Sequence, residues 1–188
     1  MKMSKFAYFA EFLVFPPLVL FFTILAFRRS IPPRPASWAL VYIAGLVAWT
    51  LIEYLLHRFV FHHAPLLARM HERHHQSPRE LIGTPAWVSV SVSFIAVASP
   101  CWAALGFGLA TAATAGLVTG YLLYVLVHYA VHHRQTHRES YLYWARRHHA
   151  LHHYVTDRGN FGVTTSLWDH VFGTAVEGGR DVLRSRLE

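Results

Sequence analysis

The 188 residues are 54% hydrophobic and 15% aromatic but only 14% charged, against about 25% charged in an ordinary soluble domain. That balance excludes an intrinsically disordered chain and fits a small integral membrane protein of one domain. Cys101 is the only cysteine, so an intrachain disulfide scaffold and a CxxC site are both excluded. The formal charge of +7 is explained better by anionic headgroups and membrane topology than by nucleic acid, and no nucleic-acid partner is expected.

Taken in chain order, four apolar stretches approach or exceed the roughly 20 residues that span a hydrocarbon core. The first runs over residues 6–27. It carries Glu11 near its start, and Pro16-Pro17 in its middle predict a kink or break there, because two backbone donors are lost, with a pair of re-entrant pieces as the alternative. It is too long for a cleavable signal and has no A-x-A-like site after it. A stiff Pro-rich loop follows at 28–35. The second stretch covers 36–56, the third 86–109 and the fourth 111–131. Gly106-Phe107-Gly108 joins the last two, with no charge nearby, and predicts a tight helical hairpin. Four spans put the N-terminus, the 57–84 segment and the C-terminal tail on one side. That side carries 14 of the 17 basic residues, so the positive-inside rule places both termini in the cytoplasm.

Fourteen of the 15 histidines fall in two blocks, His57 to His75 and His128 to His153. Two spans separate the blocks, so both emerge on the same membrane face. His71, His74 and His75 are spaced i, i+3, i+4, one helix face; His149, His152 and His153 repeat the pattern, and His128 and His132 are i, i+4. His57 and His62 are five apart and need a helix end or a partner helix to converge. Neutral imidazole is the commonest metal ligand, and ten at these spacings can enclose two metal ions. His63, His133, His137, His148 and His170 fit less well, with His133 the first candidate for a spare ligand. An all-nitrogen set does not select among zinc, iron, copper and nickel.

The order HRFVFH, HERHHQSPRE, HYAVHH, HHALHH and NFGVTTSLWDHVFGT resembles the fatty acid hydroxylase/sterol desaturase superfamily, most closely its fatty acid 2-hydroxylases, over about residues 53–174. The resemblance implies an all-α fold: an integral membrane four-helix bundle under a cytosolic helical cap that holds a histidine-rich dimetal site, with residues 1–188 as one such domain. It implies His57, His62, His71, His74, His75, His128, His132, His149, His152 and His153 as metal ligands. It implies two iron ions as cofactor, with zinc possible in purified protein. It also implies O2 as co-substrate and a membrane lipid, a fatty acyl chain, as substrate. The chain has no haem-binding HPGG and no flavin is expected in it, so electrons come from a separate cytochrome b5-, ferredoxin- or reductase-type donor.

The interval from His62 to His71 is shorter than in the eukaryotic 2-hydroxylases. His128 and His133 would also supply the HxxxxH of carotenoid ring hydroxylases, so a carotenoid ring or sterol-type hydroxylase stays open as an alternative. A histidine-rich metal-binding or transport membrane protein without oxygenase activity is the alternative of another class. A transporter would place ionisable groups along its spans, whereas Glu11 and Glu53 lie near span ends. Asp169, Asp157 and Glu53, with His133, are the candidates to orient ligand imidazoles through their second ring nitrogen. Trp168 and Tyr154 are candidates to line the pocket.

Overall fold

The computed structural model describes residues 2–28 and 34–178. Most of the Pro-rich stretch at 28–35, and Arg180, Arg184 and Arg186 of the basic tail, lie outside the described residues. The described chain is helical and contains no strand, only an isolated bridge between Lys2 and Ile82. Three helical runs are long and apolar enough to cross a membrane: Lys5–Phe27, Pro35–Phe61 and Ala86–His133.

The chain divides into two compact units, Met1–Trp49 with Leu81–Leu123, and Thr50–Glu80 with Tyr124–Glu188. In the first, helix α1 (Lys5–Phe27) starts at Ser4, whose side chain accepts from the backbone N–H of Ala7 at 3.2 Å. Of the kink or break that Pro16-Pro17 predict, there is no break: the helix continues through both prolines. Packing holds both halves: Phe15 is fully buried and lies 4.9 Å from the Tyr121 ring, and Phe22 is buried against Ala98 and Ala115. The prolines remove two backbone donors, and buried Phe15 and Phe22 pack the helix on either side of them.

The apolar run from Ala86 to His133 spans 48 residues, which as one straight helix would be about 72 Å long, more than twice the core of a bilayer. It comprises helix α4 (Ala86–Val92), a π-helical segment Ser93–Ala98 and helix α5 (Ser99–His133). The chain reverses at Gly106, whose φ of 67° and ψ of 166° are not helical. That conformation favours a residue without a Cβ. The reversal is proved by the Tyr121 hydroxyl, which lies 3.0 Å from Ser89 Oγ, although 32 residues separate them. Both donate to the buried carboxylate of Glu11, each at 2.6 Å. Helix α2 (Pro35–Leu55) packs on α5 through small residues: a Cβ on Gly116 would lie 2.1 Å from Tyr42 O. Small residues of this kind let helix backbones approach closely in an apolar setting.

The second unit contains the continuation of α2, helix α3 (Pro65–Gln76), the end of α5, helix α6 (Tyr141–Tyr154) and the short helix α7 (Leu167–Val171). Val127, Val131 and Val163 form its apolar cluster with Tyr124, Leu142 and Ala145. Tyr54 is fully buried, stacked on Phe172 and edge-on to Phe161.

Candidate metal centre

The second span does not stop at residue 56. It continues as a π-helical turn, Leu56–Phe61. In an α-helix residues five apart are rotated by roughly 140° from one another. The i→i+5 bonding of a π turn brings them back onto one side. His57 and His62 therefore face the same way, their rings stacked at 5.4 Å and 12°. His62 is the C-cap of that turn, so the helix end expected from the spacing and the π turn align the pair together.

The ten predicted histidines gather in two groups of five. His57, His62, His71, His75 and His152 form the first; His74, His128, His132, His149 and His153 form the second. Within each group the ligand atoms lie within 4.8 Å of one another. The three histidines of each HxxHH helix do not serve one centre. Helix α3 sends His71 and His75 to the first group and His74 to the second; helix α6 sends His149 and His153 to the second and His152 to the first. Each group thus takes an i, i+4 pair from one helix and a single residue from the other. The remaining pair comes from the π turn in the first group and from α5 in the second.

The Nε2 atoms point inward. His71 Nε2 lies 3.0 Å from that of His57 and 2.9 Å from that of His75, and those of His62 and His152 are 3.3 Å apart. In the second group His128 and His74 are 3.1 Å apart, and His149 lies 3.0 Å from both His132 and His153. Two nitrogens at right angles around one ion, each about 2.1 Å from it, would be about 3.0 Å apart. The tautomers fit as well. A carbonyl oxygen only accepts, so His57 Nδ1–H donates to Phe161 O at 2.5 Å and His152 Nδ1–H to Gly159 O at 2.8 Å. Each of these two rings is left with a bare Nε2 lone pair facing the centre. Burial, then the neighbouring imidazoles, push His152 down to about 3. Burial and His62 push His75 down to about 4. His71, His74, His149 and His153 are also held well below the ordinary range by burial and by adjacent rings. These six rings are neutral at pH 7, the form that binds metal.

The carboxylates act one step further out than the sequence suggests. Asp169 is fully buried and touches the backbone rather than a ligand ring. It accepts from Phe161 N at 2.9 Å, Gly162 N at 2.8 Å and Thr174 Oγ1 at 2.8 Å, and from His148 Nε2 at 3.0 Å. Burial alone would raise its pKa, but these hydrogen bonds, led by that from His148, hold it below the usual range. Glu53 accepts from Val163 N at 2.7 Å and from the backbone and hydroxyl of Thr164 at 2.8 and 2.5 Å. Asp157 is exposed and borders a pocket of about 410 Å³ beside His62, His71 and His75. His133 belongs to neither group and stacks on Tyr129 at 4.5 Å. Trp168 donates to Thr50 at 2.9 Å. Tyr154 borders a small cavity of about 30 Å³ with His132, His149 and His153.

Sequence reasoning missed Asn160. It is fully buried with φ of 55°. Its side chain donates to His148 O and Val176 O and accepts from Val176 N. The available signal is an Asn between glycine and an aromatic, since Asn tolerates positive φ better than most residues.

The family model described as "Fatty acid hydroxylase" matches residues 42–174. A fatty acid 2-hydroxylase of Rattus norvegicus is 34% identical over 72% of this chain and 39% of its own length. A dihydroceramide fatty acyl 2-hydroxylase of Arabidopsis thaliana is 35% identical over 72% of this chain and 60% of its own length. The chain therefore spans between about two fifths and three fifths of these relatives. A solved structure described as full-length scs7p, with only the hydroxylase domain visible, superposes with a TM-score of 0.79 at 26% identity, covering 91% of this chain and 67% of that one.

Proposed function

The chain belongs to the fatty acid hydroxylase family, and from that premise we propose that it is a membrane-bound di-iron oxygenase that hydroxylates a fatty acyl chain, free or in ceramide. The observation that carries this reading is the convergence of ten imidazoles into two five-nitrogen cradles within a chain of this family. Its relatives are named as fatty acid and fatty acyl 2-hydroxylases, which favours the carbon next to the carbonyl as the site of oxidation. One oxygen atom of O2 enters the C–H bond and the other leaves as water, with two protons and two electrons from a separate donor protein. That C–H bond is beyond the reach of acid–base side chains, and iron held by the histidines supplies the O2-dependent oxidation when bound.

The chain's own residues do the rest. All ten histidines are the ligands in this reading. His57 and His152 present Nε2 because carbonyl oxygens fix the proton on Nδ1. Burial keeps the second unit's rings neutral and limits water at the centre. In the membrane, α1, α2 and the two arms of the run folded at Gly106 make four crossings. The basic 57–84 segment and both termini then face the cytoplasm, supported by the 14 basic residues on that side. The whole domain, 1–188, works as one unit in this reading.

The test is iron-reconstituted protein in lipid or detergent with a reductase system, 18O2 and fatty acids or ceramides. Mass spectrometry is expected to find one labelled oxygen at C2. Product formed without O2, or unlabelled, would refute the reading. Reporters at Arg34 and at Glu177 are expected on opposite faces of the membrane.

A further inference from the structure

The two centres are backed differently, and the difference lies in residues 159–162. In the first group, the ring nitrogen of His57 facing away from the centre donates to Phe161 O, and that of His152 to Gly159 O. In the second, Nδ1 of both His149 and His153 is buried with no hydrogen-bond partner among the described residues. The carbonyls that back the first group are themselves held. The peptide unit containing Phe161 C=O also contains Gly162 N–H, which donates to Asp169 Oδ2 at 2.8 Å. The peptide containing Gly159 C=O also contains Asn160 N–H, which donates to Thr174 O at 3.0 Å. Each trans peptide therefore has an acceptor at one end and a ligand histidine at the other. Asp169 further accepts from Phe161 N and from Thr174 Oγ1, so both peptides are tied into one network.

Two glycines make the fit possible. A Cβ on Gly162 would lie 2.1 Å from Thr165 O and 3.0 Å from Asp169 Oδ2. On Gly159 it would lie 2.5 Å from Thr174 O, the acceptor of the second peptide. Neither glycine has positive φ, so what these positions require is space.

We propose that residues 159–162, held by Asp169 and Thr174, form a peptide clasp that orients His57 and His152 and so governs metal retention at the first centre alone. Asp169 is then a positioning residue acting on His57 through one peptide unit. The second centre, whose His149 and His153 have no such carbonyl behind Nδ1 among the described residues, meets the clasp through His148 and not through a ligand ring. This rests on the two-metal reading above.

The test loads the full chain with Co(II) and measures ions per chain, their affinities and the visible spectrum. Two ions are expected in the unaltered protein; none would refute the two-metal reading itself, before the clasp is at issue. Given two, Asp169→Asn is expected to weaken one ion by about 10–100-fold and leave the other unchanged. Gly162→Ala, which keeps the buried carboxylate, is expected to do the same and decides the matter if Asp169→Asn does not fold. Combined with His57→Ala, Asp169→Asn is expected still to leave one ion, since both changes act on the same centre. Combined with His149→Ala it is expected to leave none tightly held. Unchanged affinity for both ions, or equal loss of both, in the foldable variants would overturn the clasp.

Discussion

His132 and His133 are neighbours of identical chemistry, and the fold gives them opposite duties. His132 turns its Nε2 to within 3.0 Å of that of His149, while His133 leans on the Tyr129 ring. Spacing separates them: His132 completes an i, i+4 pair with His128, and His133 would need i, i+5 on a helix that is regular there. Replacing His132 with Ala is expected to remove a ligand, lower metal content and abolish turnover. His133→Ala is expected to keep both ions and most of the turnover, since His133 stacks on Tyr129 and belongs to neither group. Elemental analysis with a product assay checks both. The same contrast applies to the carboxylates. Glu53 lies at 3% exposure and takes three hydrogen bonds from Val163 and Thr164. Glu53→Leu removes the acceptor of the buried Val163 amide, and a loss of about 1–3 kcal/mol in stability is expected for the unmet group, read as a lowered midpoint in thermal unfolding.

At the scale of the element, the π turn at Leu56–Phe61 amounts to one extra residue in a helix. Deleting Phe59, which is 53% exposed, restores α geometry and puts the two histidines four apart, again on one face. Metal binding at the first centre is therefore expected to survive the deletion. Inserting an alanine after Phe59 makes the spacing six and turns the second histidine away, so the first centre is expected to lose its ion; titration of the two variants with Co(II) decides it. A reader of the sequence sees the ten converging histidines because imidazole density and the i, i+3, i+4 repeats are local properties. The turn at Gly106 is legible for the same reason, from a glycine pair in an uncharged run. The π turn is not, since a 3.6-residue period is assumed wherever a helix is drawn. The split of His74 from His71 and His75 is equally hidden. It depends on how α3 and α6 meet, which no single helix encodes. Asn160 and the routes from Asp169 and Glu53 into backbone amides belong to an irregular segment, where hydrogen bonds leave no periodic trace. That α1 continues through Pro16-Pro17, with Phe15 and Phe22 buried on either side, is a matter of packing that the prolines alone do not announce.

At the scale of the whole molecule, ten imidazoles packed together are a liability whose sign with pH is fixed by linkage. In the unfolded chain each histidine takes up a proton near its ordinary value of about 6.5. In the folded protein His75 does so only near about 4 and His152 near about 3, because burial and neighbouring rings oppose the charge. Above pH 6.5 both states are neutral at these positions and the stability they permit is fully present. Between 6.5 and 4 the unfolded state binds more protons, so stability falls as pH falls; the loss contributed by His75 is complete below about 4 and that of His152 below about 3. Bound metal acts in the opposite sense, stabilising the folded state by about 2.7 kcal/mol per ion at a free concentration one hundredfold above Kd. Protons compete for the same nitrogens, so that protection also fades in acid. Thermal unfolding in detergent from pH 8 to pH 4, with and without chelator, is expected to give a metal-free midpoint that is flat above about 6.5 and drops steadily below it. The metal-loaded protein is expected to melt higher at pH 8 and to converge on the metal-free curve as ions are released. A metal-free midpoint that stays level or rises on acidification would mean that these histidines are solvated in the folded protein, and with that both cradles would be lost.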